Sequence, residues 1–197
     1  MSAPDAAGAL AALLRPGRHG ALDAEPVRIA VLARDVVQVS ARRGRLDDLA
    51  AGLRAGLGLV LPAPGRVAYA AGTAALWLQP NAWMLCAPSA GEGNLARAAK
   101  TAAGDAGSVV DQTHGRTVFA LAGARARDVL ARICRLDLHP RVFAPAQVAA
   151  TRLADMPGLI HQLDALPSYE LVVFSTYAVH FAGALTHAAE GVGYEIA

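Results

Sequence analysis

The chain alternates between short apolar runs with strand spacing and segments whose apolar residues recur every three or four positions. Residues 36–41 and 117–122 are apolar runs that predict strands. Residues 45–54 place Leu49 and Leu53 on one side of a predicted helix, and aspartates occupy its first turn, where negative charge suits the helix dipole. The pattern therefore predicts a mixed α+β protein.

Turn-forming residues divide the rest of the chain into further elements, as in the segment Gln79-Pro80-Asn81. The further predicted strands are residues 67–71, 74–79, 82–86, 108–111, 148–153, 159–163, 169–174 and 194–196. Residues 94–103 and 177–189 are predicted helices, and so is a segment after Gly123 in which Val129, Leu130 and Ile133 face inward.

An offset of 81 residues aligns the chain with itself, pairing Asp47 with Asp128 and Leu49 with Leu130. On each side of this offset the predicted elements run strand, helix, strands, helix and strand. The repeat is too long for a solenoid unit, and it favours two similar α+β halves that arose by duplication. Chance matching of alanine-rich segments is the alternative explanation.

The repeat also sets the expected domain boundaries. We expect an N-terminal arm over residues 1–25, a first α+β half over residues 26–110 and a second half over residues 111–197. The arm contains prolines and glycines and stands outside the repeat. Such segments either dock on a partner or fray as a terminus.

Composition excludes several classes of protein. Hydrophobic residues make up 54% of the chain and charged residues 17%, which is typical of a globular fold and not of disorder. The low charge indicates either a surface covered by a partner or simple alanine richness. Arg42, Arg43 and Arg45 form the densest basic cluster, but no aromatic platform accompanies them, so we do not expect nucleic-acid binding.

Two distant cysteines, Cys86 and Cys134, lie in apolar surroundings and predict buried reduced thiols, not a disulfide framework or a zinc site. We therefore expect a cytoplasmic protein. No apolar run has the length needed to span a bilayer, so no membrane partner is expected. The apolar N-terminal stretch is preceded by Asp5 and not by the basic residues that begin a secretory signal, so such a signal is not expected.

Asp111 and His114 are the best-placed polar pair in the sequence. One interpretation makes His114 a ligand or proton shuttle that Asp111 orients. The favoured alternative is a polar turn whose side chains satisfy backbone groups, because no nucleophile or second carboxylate follows at useful spacing. Arg116 and Arg152 are further polar or interface candidates.

Trp77 and Trp83 lie in neighbouring predicted strands, where cross-strand packing is the favoured interpretation. An exposed tryptophan would instead be a candidate contact in a protein interface. His180 and His187 share a helix face about 10 Å apart along the axis, too far for one metal ion. His161 has no identifiable companion. We predict no catalytic, cofactor-binding or metal-ligating residue on this chain.

Several motifs carry a resemblance to known families. Residues 110–130 contain an Asp-x-Thr-His signature at Asp111, then a strand and a Gly-x-x-Ala helix start at Gly123, and this resembles the aminomethyltransferase (T-protein) of the glycine cleavage system. The segment Arg-Leu-Asp-Leu-His-Pro-Arg-Val-Phe at residues 135–143 is more specific. Together with Thr151-Arg152-Leu153 and Tyr169-Glu170-Leu171 it resembles the gamma subunit of heterotetrameric sarcosine oxidase, over residues 61–189.

The resemblance implies a T-protein-like folate-binding fold and an accessory role in a bacterial four-subunit flavin enzyme that oxidatively demethylates sarcosine to glycine. In that family FAD and FMN are held by the beta subunit and its interface with alpha. NAD is bound by alpha and zinc by delta, and folate is likewise implied on the partner subunits. The gamma chain, which this sequence resembles, contributes structure and packs against alpha.

The T-protein carries its catalytic carboxylate on a hairpin of the form Asn-x-x-Gly-Gly-Ile-x-Asp. In the matching residues 155–162, Pro157 replaces a glycine, and His161 or Gln162 takes the acidic position. The departure implies that carboxylate-dependent aminomethyl transfer is lost. A stand-alone module that binds folate or another one-carbon carrier remains an alternative, and a self-associating α+β domain with an unrelated role is a third.

Overall fold

The computed structural model of the chain describes residues 6–21 and 25–197. Residues 1–5 and 22–24 of the predicted arm lie outside the described residues. The described helices are α1 (Ala6–Leu13), α2 (Leu46–Leu57), α3 (Asn94–Ala103), α4 (Ala126–Ile133) and α5 (Ala178–Ala189). The described strands are β1 (Gly17–His19), β2 (Val27–Leu32), β3 (Arg34–Ala41), β4 (Val67–Ala70), β5 (Thr73–Gln79), β6 (Ala82–Pro88), β7 (Gly107–Asp111), β8 (Arg116–Ala122), β9 (Val148–Leu153), β10 (Met156–Asp164), β11 (Ser168–Phe174) and β12 (Tyr194–Ile196).

The chain divides into two compact units, each built on its own sheet. The five-stranded unit comprises residues 33–116 and 146–149, and the seven-stranded unit comprises the described residues up to Leu32 together with 117–145 and 150–197. The α+β class is therefore confirmed. Each predicted half contains a strand, a helix, three strands, a helix and a strand in that order, from β3 to β7 and from β8 to β12. The duplication and its boundaries stay predictions.

The five-stranded unit has the strand order β4-β5-β6-β3-β7. Its neighbouring strands are antiparallel throughout. Alternate strand residues such as Val37, Val39 and Leu85 form a fully buried cluster with Leu49 and Leu53 of α2. Burial of these large aliphatic side chains is the main stabilising term of the unit.

Helices α2 and α3 approach each other closely at a glycine. A Cβ atom at Gly52 of α2 would clash with the carbonyl oxygen of Ala102 of α3. Helix α2 then ends at Gly58, whose φ of 67° is a left-handed cap that allows its N–H to donate to the Arg54 carbonyl. Glycine is therefore required at both points, once by the close contact and once by the backbone conformation.

The seven-stranded unit has the strand order β1-β12-β2-β8-β11-β10-β9. Strand β12 pairs with β2 in parallel, while β2 and β8 are antiparallel. Phe119 of β8 packs edge-on against Phe181 of α5, with ring centroids 5.0 Å apart. These rings place α5 on one face of the sheet, and both phenylalanines are fully buried.

Two strands near the N-terminus are not predicted by the sequence pattern. Val27–Leu32 forms β2 inside the seven-stranded sheet, and Gly17–His19 forms its edge strand β1. Val27 and Ile29 are fully buried whereas Arg28 is exposed, so β2 has the alternation of a strand. The pattern misses β2 because the run lies next to the expected arm, outside the aligned repeat elements.

Candidate functional site

A histidine and a glutamate form a buried pair on the β10–β11 hairpin. The antiparallel register places His161 directly opposite Glu170. The Nε2 atom of His161 lies 3.1 Å from Oε2 of Glu170, and their side chains are 0% and 4% exposed. The expectation that His161 has no companion is therefore wrong, because register brings together two residues that are separated in sequence.

The arrangement of this pair closes it to solvent and to ligands. Directly opposed residues have side chains on the same face of a sheet, and the flanking Leu159 and Val172 on that face are also buried. The Nδ1 atom of His161 has no hydrogen-bond partner among the residues that the structure describes. A carboxylate held this way satisfies a buried imidazole, and it is not open to a substrate.

The other face of the same hairpin carries Gln162 and Tyr169, which also lie opposite each other. Both are buried, and Gln162 Nε2 donates to the Asp164 carbonyl over 2.7 Å. Burial raises the pKa of the Tyr169 phenol, and the nearby Arg127 guanidinium partly opposes that increase. Tyr169 is therefore a neutral phenol under ordinary conditions and supplies no base for chemistry.

Asp111 and His114 lie in the turn that joins β7 to β8. The Oδ1 atom of Asp111 accepts a hydrogen bond from the Thr113 N–H over 2.9 Å. Hydrogen bonds from the Thr113 side chain and backbone lower the pKa of Asp111, and the His114 charge adds a smaller effect in the same direction. This geometry is that of a polar turn in which the aspartate caps a backbone group. Both side chains are exposed.

Arg116 begins β8 in a half-buried position. Its Nε donates to Gln112 Oε1 over 3.2 Å, which ties it to the same turn. Partial burial lowers the pKa of Arg116, while the neighbouring Cys86 raises it. An arginine remains charged under such a shift because its ordinary pKa is so high. Arg116 therefore places a fixed positive charge at this turn.

Trp77 and Trp83 form the cross-strand pair that the sequence favours. They lie opposite each other on β5 and β6. Trp83 is 5% exposed, and its Nε1 donates to the Pro62 carbonyl over 3.0 Å. Trp77 is half-buried against the same core cluster. Their geometry is that of core packing, and whether Trp77 also contacts a partner stays a prediction.

Arg152 lies at the end of β9, next to the β9–β10 turn. Its side chain is 70% exposed, and its Nε is 3.8 Å from Asp155 Oδ1. Arg135 approaches the same carboxylate oxygen to 4.0 Å from the segment after α4. The fold thus brings together two residues from separate motifs of the sequence, and both remain open to solvent.

Metal-ligating side chains do not gather in the described part of the chain. Among residues 6–21 and 25–197, no three His, Cys, Asp or Glu side chains lie close enough to hold a metal ion. Cys86 and Cys134 are buried and unbridged. His187 pairs with Glu190 on the surface at 3.2 Å. No described helix has the length and apolar character needed to cross a membrane.

Comparisons with known proteins agree on one family. The family model described as sarcosine oxidase, gamma subunit family, matches residues 43–190. Sarcosine oxidase subunit gamma of an Arthrobacter species is 39% identical over 135 residues, which cover 66% of this chain and 66% of the relative. The same subunit of Corynebacterium strain P-1 is 37% identical over 113 residues, covering 56% and 55%. The match thus spans less than two thirds of the length of these relatives.

Two solved structures share the fold over nearly the whole chain. A chain of the heterotetrameric sarcosine oxidase from Corynebacterium sp. U-96, in complex with pyrrole 2-carboxylate, is 29% identical with a TM-score of 0.80, covering 98% of this chain and 97% of that one. The aminomethyltransferase T of the glycine cleavage system from Bartonella henselae is 18% identical with a TM-score of 0.64, covering 96% of this chain and 50% of that one. The second likeness is one of fold alone.

Proposed function

The chain belongs to the sarcosine oxidase gamma subunit family, and from this we propose that it is the accessory gamma subunit of a heterotetrameric flavin enzyme that oxidatively demethylates sarcosine to glycine. The observation that carries the proposal is the likeness over 98% of this chain to a chain of a heterotetrameric sarcosine oxidase. The resemblance seen in the sequence motifs is confirmed at the level of family and fold.

We propose further that this chain takes no direct part in the chemistry. The polar groups best placed for acid–base work, His161 and Glu170, are buried and occupied with each other. Asp111, which the sequence pairs with His114, is engaged by Thr113 in a turn. General acid–base catalysis needs a group within hydrogen-bond reach of a substrate, and His161 and Glu170 are closed to that contact by their burial. Asp111 is exposed, but its hydrogen bonds to Thr113 keep it an ionised carboxylate with a lowered pKa.

The proposal assigns the alpha, beta and delta chains as partners and places the FAD, FMN, NAD, folate and zinc that the family resemblance implies on those chains. For zinc, this assignment agrees with the described histidines, cysteines and acids of this chain, which do not converge on a common centre. The cytoplasm is the proposed location, supported by two cysteines that are both reduced and buried.

Affinity purification of the tagged chain from its native host tests the proposal. We expect a yellow complex that contains three further chains and oxidises sarcosine. The isolated chain should be colourless and should not oxidise sarcosine. Subunit mass spectrometry, a flavin absorbance scan and peroxide release on sarcosine addition give the three readouts. A colourless protein that returns alone or as a homodimer would overturn the proposal.

A stand-alone folate-binding module is disfavoured by the same geometry. The hairpin does hold a carboxylate, Glu170, but it is buried and bound to His161, so it cannot also recognise the polar edge of a pterin. Calorimetric titration of the isolated chain with a reduced folate is expected to give no heat of binding. Saturable heat at micromolar folate would revive that function.

A further inference from the structure

Positive charge is concentrated in one stretch of the seven-stranded unit. Residues 125–145 and 150–155 of this unit contain six arginines and three aspartates, a net charge of +3 in a chain whose total is +2. The rest of the chain therefore carries a net charge of −1. A nearly balanced total charge conceals this uneven distribution, and a local excess of one sign is what steers a partner of the opposite sign.

Three of these arginines line the same cavity as a single carboxylate. Arg132, Arg135 and Arg152 line a shallow cavity of about 170 Å³ together with Asp155. The distances from Asp155 Oδ1 are 3.8 Å to Arg152 Nε and 4.0 Å to Arg135 Nη2, both too long for hydrogen bonds. One aspartate offsets one positive charge, so the cavity retains an excess of two.

The backbone around the cavity fixes two of the three guanidinium groups. Arg132 Nη1 donates to the Ala188 carbonyl over 2.9 Å, and Arg152 Nη2 donates to the Asp155 carbonyl. The turn itself is held to α4 by the Ala154 N–H, which donates to the Ile133 carbonyl over 2.7 Å. The positive groups are therefore presented on a rigid frame.

Arg135 differs from its two neighbours. Its side chain is 91% exposed, and within the described ranges of the chain its one polar contact is the 4.0 Å approach to Asp155. Its planar group of five N–H donors is thus available for a bidentate contact with a carboxylate, which is the geometry that arginine prefers.

We propose that Arg132, Arg135 and Arg152, here called the arginine cluster, form the docking surface for an acidic segment of another subunit of the oxidase. The inference rests on the proposed function, because it needs a partner chain. A protein carboxylate fits a cavity of this size and charge. A nucleic acid does not, because three aspartates interrupt the same stretch and would repel a polyanion.

The test is charge reversal in the complete complex. The tagged chain is produced together with the other three subunits, either as wild type or as the double variant Arg135→Glu, Arg152→Glu. Like charges facing each other across an interface oppose association, so we expect recovery of the four-chain complex to fall by about tenfold or more. We also expect wild-type assembly to weaken with rising salt, and the double variant to lose that dependence.

Arg42→Glu, Arg43→Glu is the matched control. These arginines are exposed in the loop before α2, and reversing them changes net charge by the same amount. We expect that variant to assemble as wild type does. Thermal unfolding of each isolated variant shows whether it folds. The single variant Arg135→Gln is a milder test, because it removes one charge from a side chain that is 91% exposed.

Three results would overturn the inference while leaving the proposed function in place. They are normal assembly of the cluster variant with unchanged salt dependence, equal loss of assembly in the control variant, and cluster-dependent binding of the isolated chain to a DNA or RNA duplex. A wild-type chain that recovers no partner subunits would overturn the proposed function, and the docking surface with it. The experiment with the wild-type chain thus distinguishes failure of the docking inference from failure of the proposed function.

Discussion

His161 and Glu170 lie directly opposite each other on the β10–β11 hairpin, with 3.1 Å between Nε2 and Oε2 and almost no exposure to solvent. The chain contains a second pair of the same residue types, His187 and Glu190, at 3.2 Å on the surface of α5 and the residue that follows it. The two pairs have nearly equal separations and opposite burial. Comparing variants of the two pairs therefore separates the contribution of burial to stability from the contribution of the His–Glu contact itself.

Removing Glu170 is expected to destabilise the protein. Glu170→Ala leaves a buried imidazole nitrogen without a partner, which should lower the free energy of unfolding by about 1–3 kcal/mol. Glu170→Gln keeps an oxygen that can accept from the Nε2–H of His161, so this variant should lose less free energy of unfolding than Glu170→Ala. Urea denaturation of the isolated variants measures both values.

Glu190→Ala provides the matched control, because its pair is 84% and 60% exposed. Exposed ion pairs contribute about 0–1 kcal/mol, so we expect a change within that range. A double-mutant cycle between His161 and Glu170 should give a coupling energy well above that of the exposed pair. Equal coupling in the two pairs would contradict the assigned importance of burial.

Gly52→Ala should destabilise the five-stranded unit. An added methyl group meets the Ala102 carbonyl of α3, and overpacking of this kind lowers stability by about 1–3 kcal/mol. Gly183→Ala is the control, since its added methyl group comes only to 3.9 Å from Leu13. There the gain in helix propensity should raise stability by about 0.5–1 kcal/mol. Thermal unfolding of the two variants should show shifts of opposite sign.

Local patterns in the sequence are sufficient to predict most of the helices and strands, although not the strand order of the two sheets. They predict residues 94–103, 148–153 and 194–196 with the bounds that α3, β9 and β12 have in the structure. Apolar periodicity gives the bounds of these three elements correctly because turn residues or glycines lie directly beside each element and mark where it ends. It fails for β2, which directly follows the expected arm and lies outside the repeat that guides the assignment.

Contacts that depend on register or on tertiary packing are not predictable in this way. His161 and Glu170 are nine residues apart, and their contact exists only because the hairpin turns at residues 165–167. A signal is present, because each lies as a polar residue within an apolar run and the turn is centred midway between them. The arginine cluster gives no such signal, since Arg135 and Arg152 meet only through the packing of α4 against the β9–β10 turn.

Trp83→Phe should cost more stability than Trp77→Phe. The first change removes the indole donor from the Pro62 carbonyl and leaves that oxygen unpaired, a loss of about 1–3 kcal/mol. Trp77 is half-buried and its indole makes no hydrogen bond within the described residues, so its change should be smaller. Denaturant midpoints of the two variants give the comparison, and a larger loss at Trp77 would contradict the assigned hydrogen bond.

The turn at Asp111 should give the protein a small acid-dependent loss of stability. Because Thr113 lowers the pKa of Asp111 below its ordinary value of 3.8, the ionised carboxylate stabilises the fold. That contribution is complete above the ordinary pKa and is lost as the pH falls through the lowered value. Asp111→Asn keeps an oxygen for the Thr113 N–H but removes the charge. Wild type should therefore exceed this variant by less than about 1 kcal/mol near neutral pH, with the difference vanishing in strong acid.

Thr113→Val provides the check on the cause of this effect. Removing the hydroxyl takes away the side-chain contribution of Thr113 and also the hydrogen bond that this hydroxyl accepts from the Val36 N–H over 3.1 Å. The pKa of Asp111 should therefore rise toward its ordinary value, and the variant should also lose some stability. The backbone N–H of residue 113 remains in this variant, so the rise should be partial. An NMR titration of the Asp111 carboxyl carbon reports the pKa directly, and we expect its midpoint to be higher in Thr113→Val than in wild type. Identical midpoints would show that the Thr113 hydroxyl does not stabilise the charge.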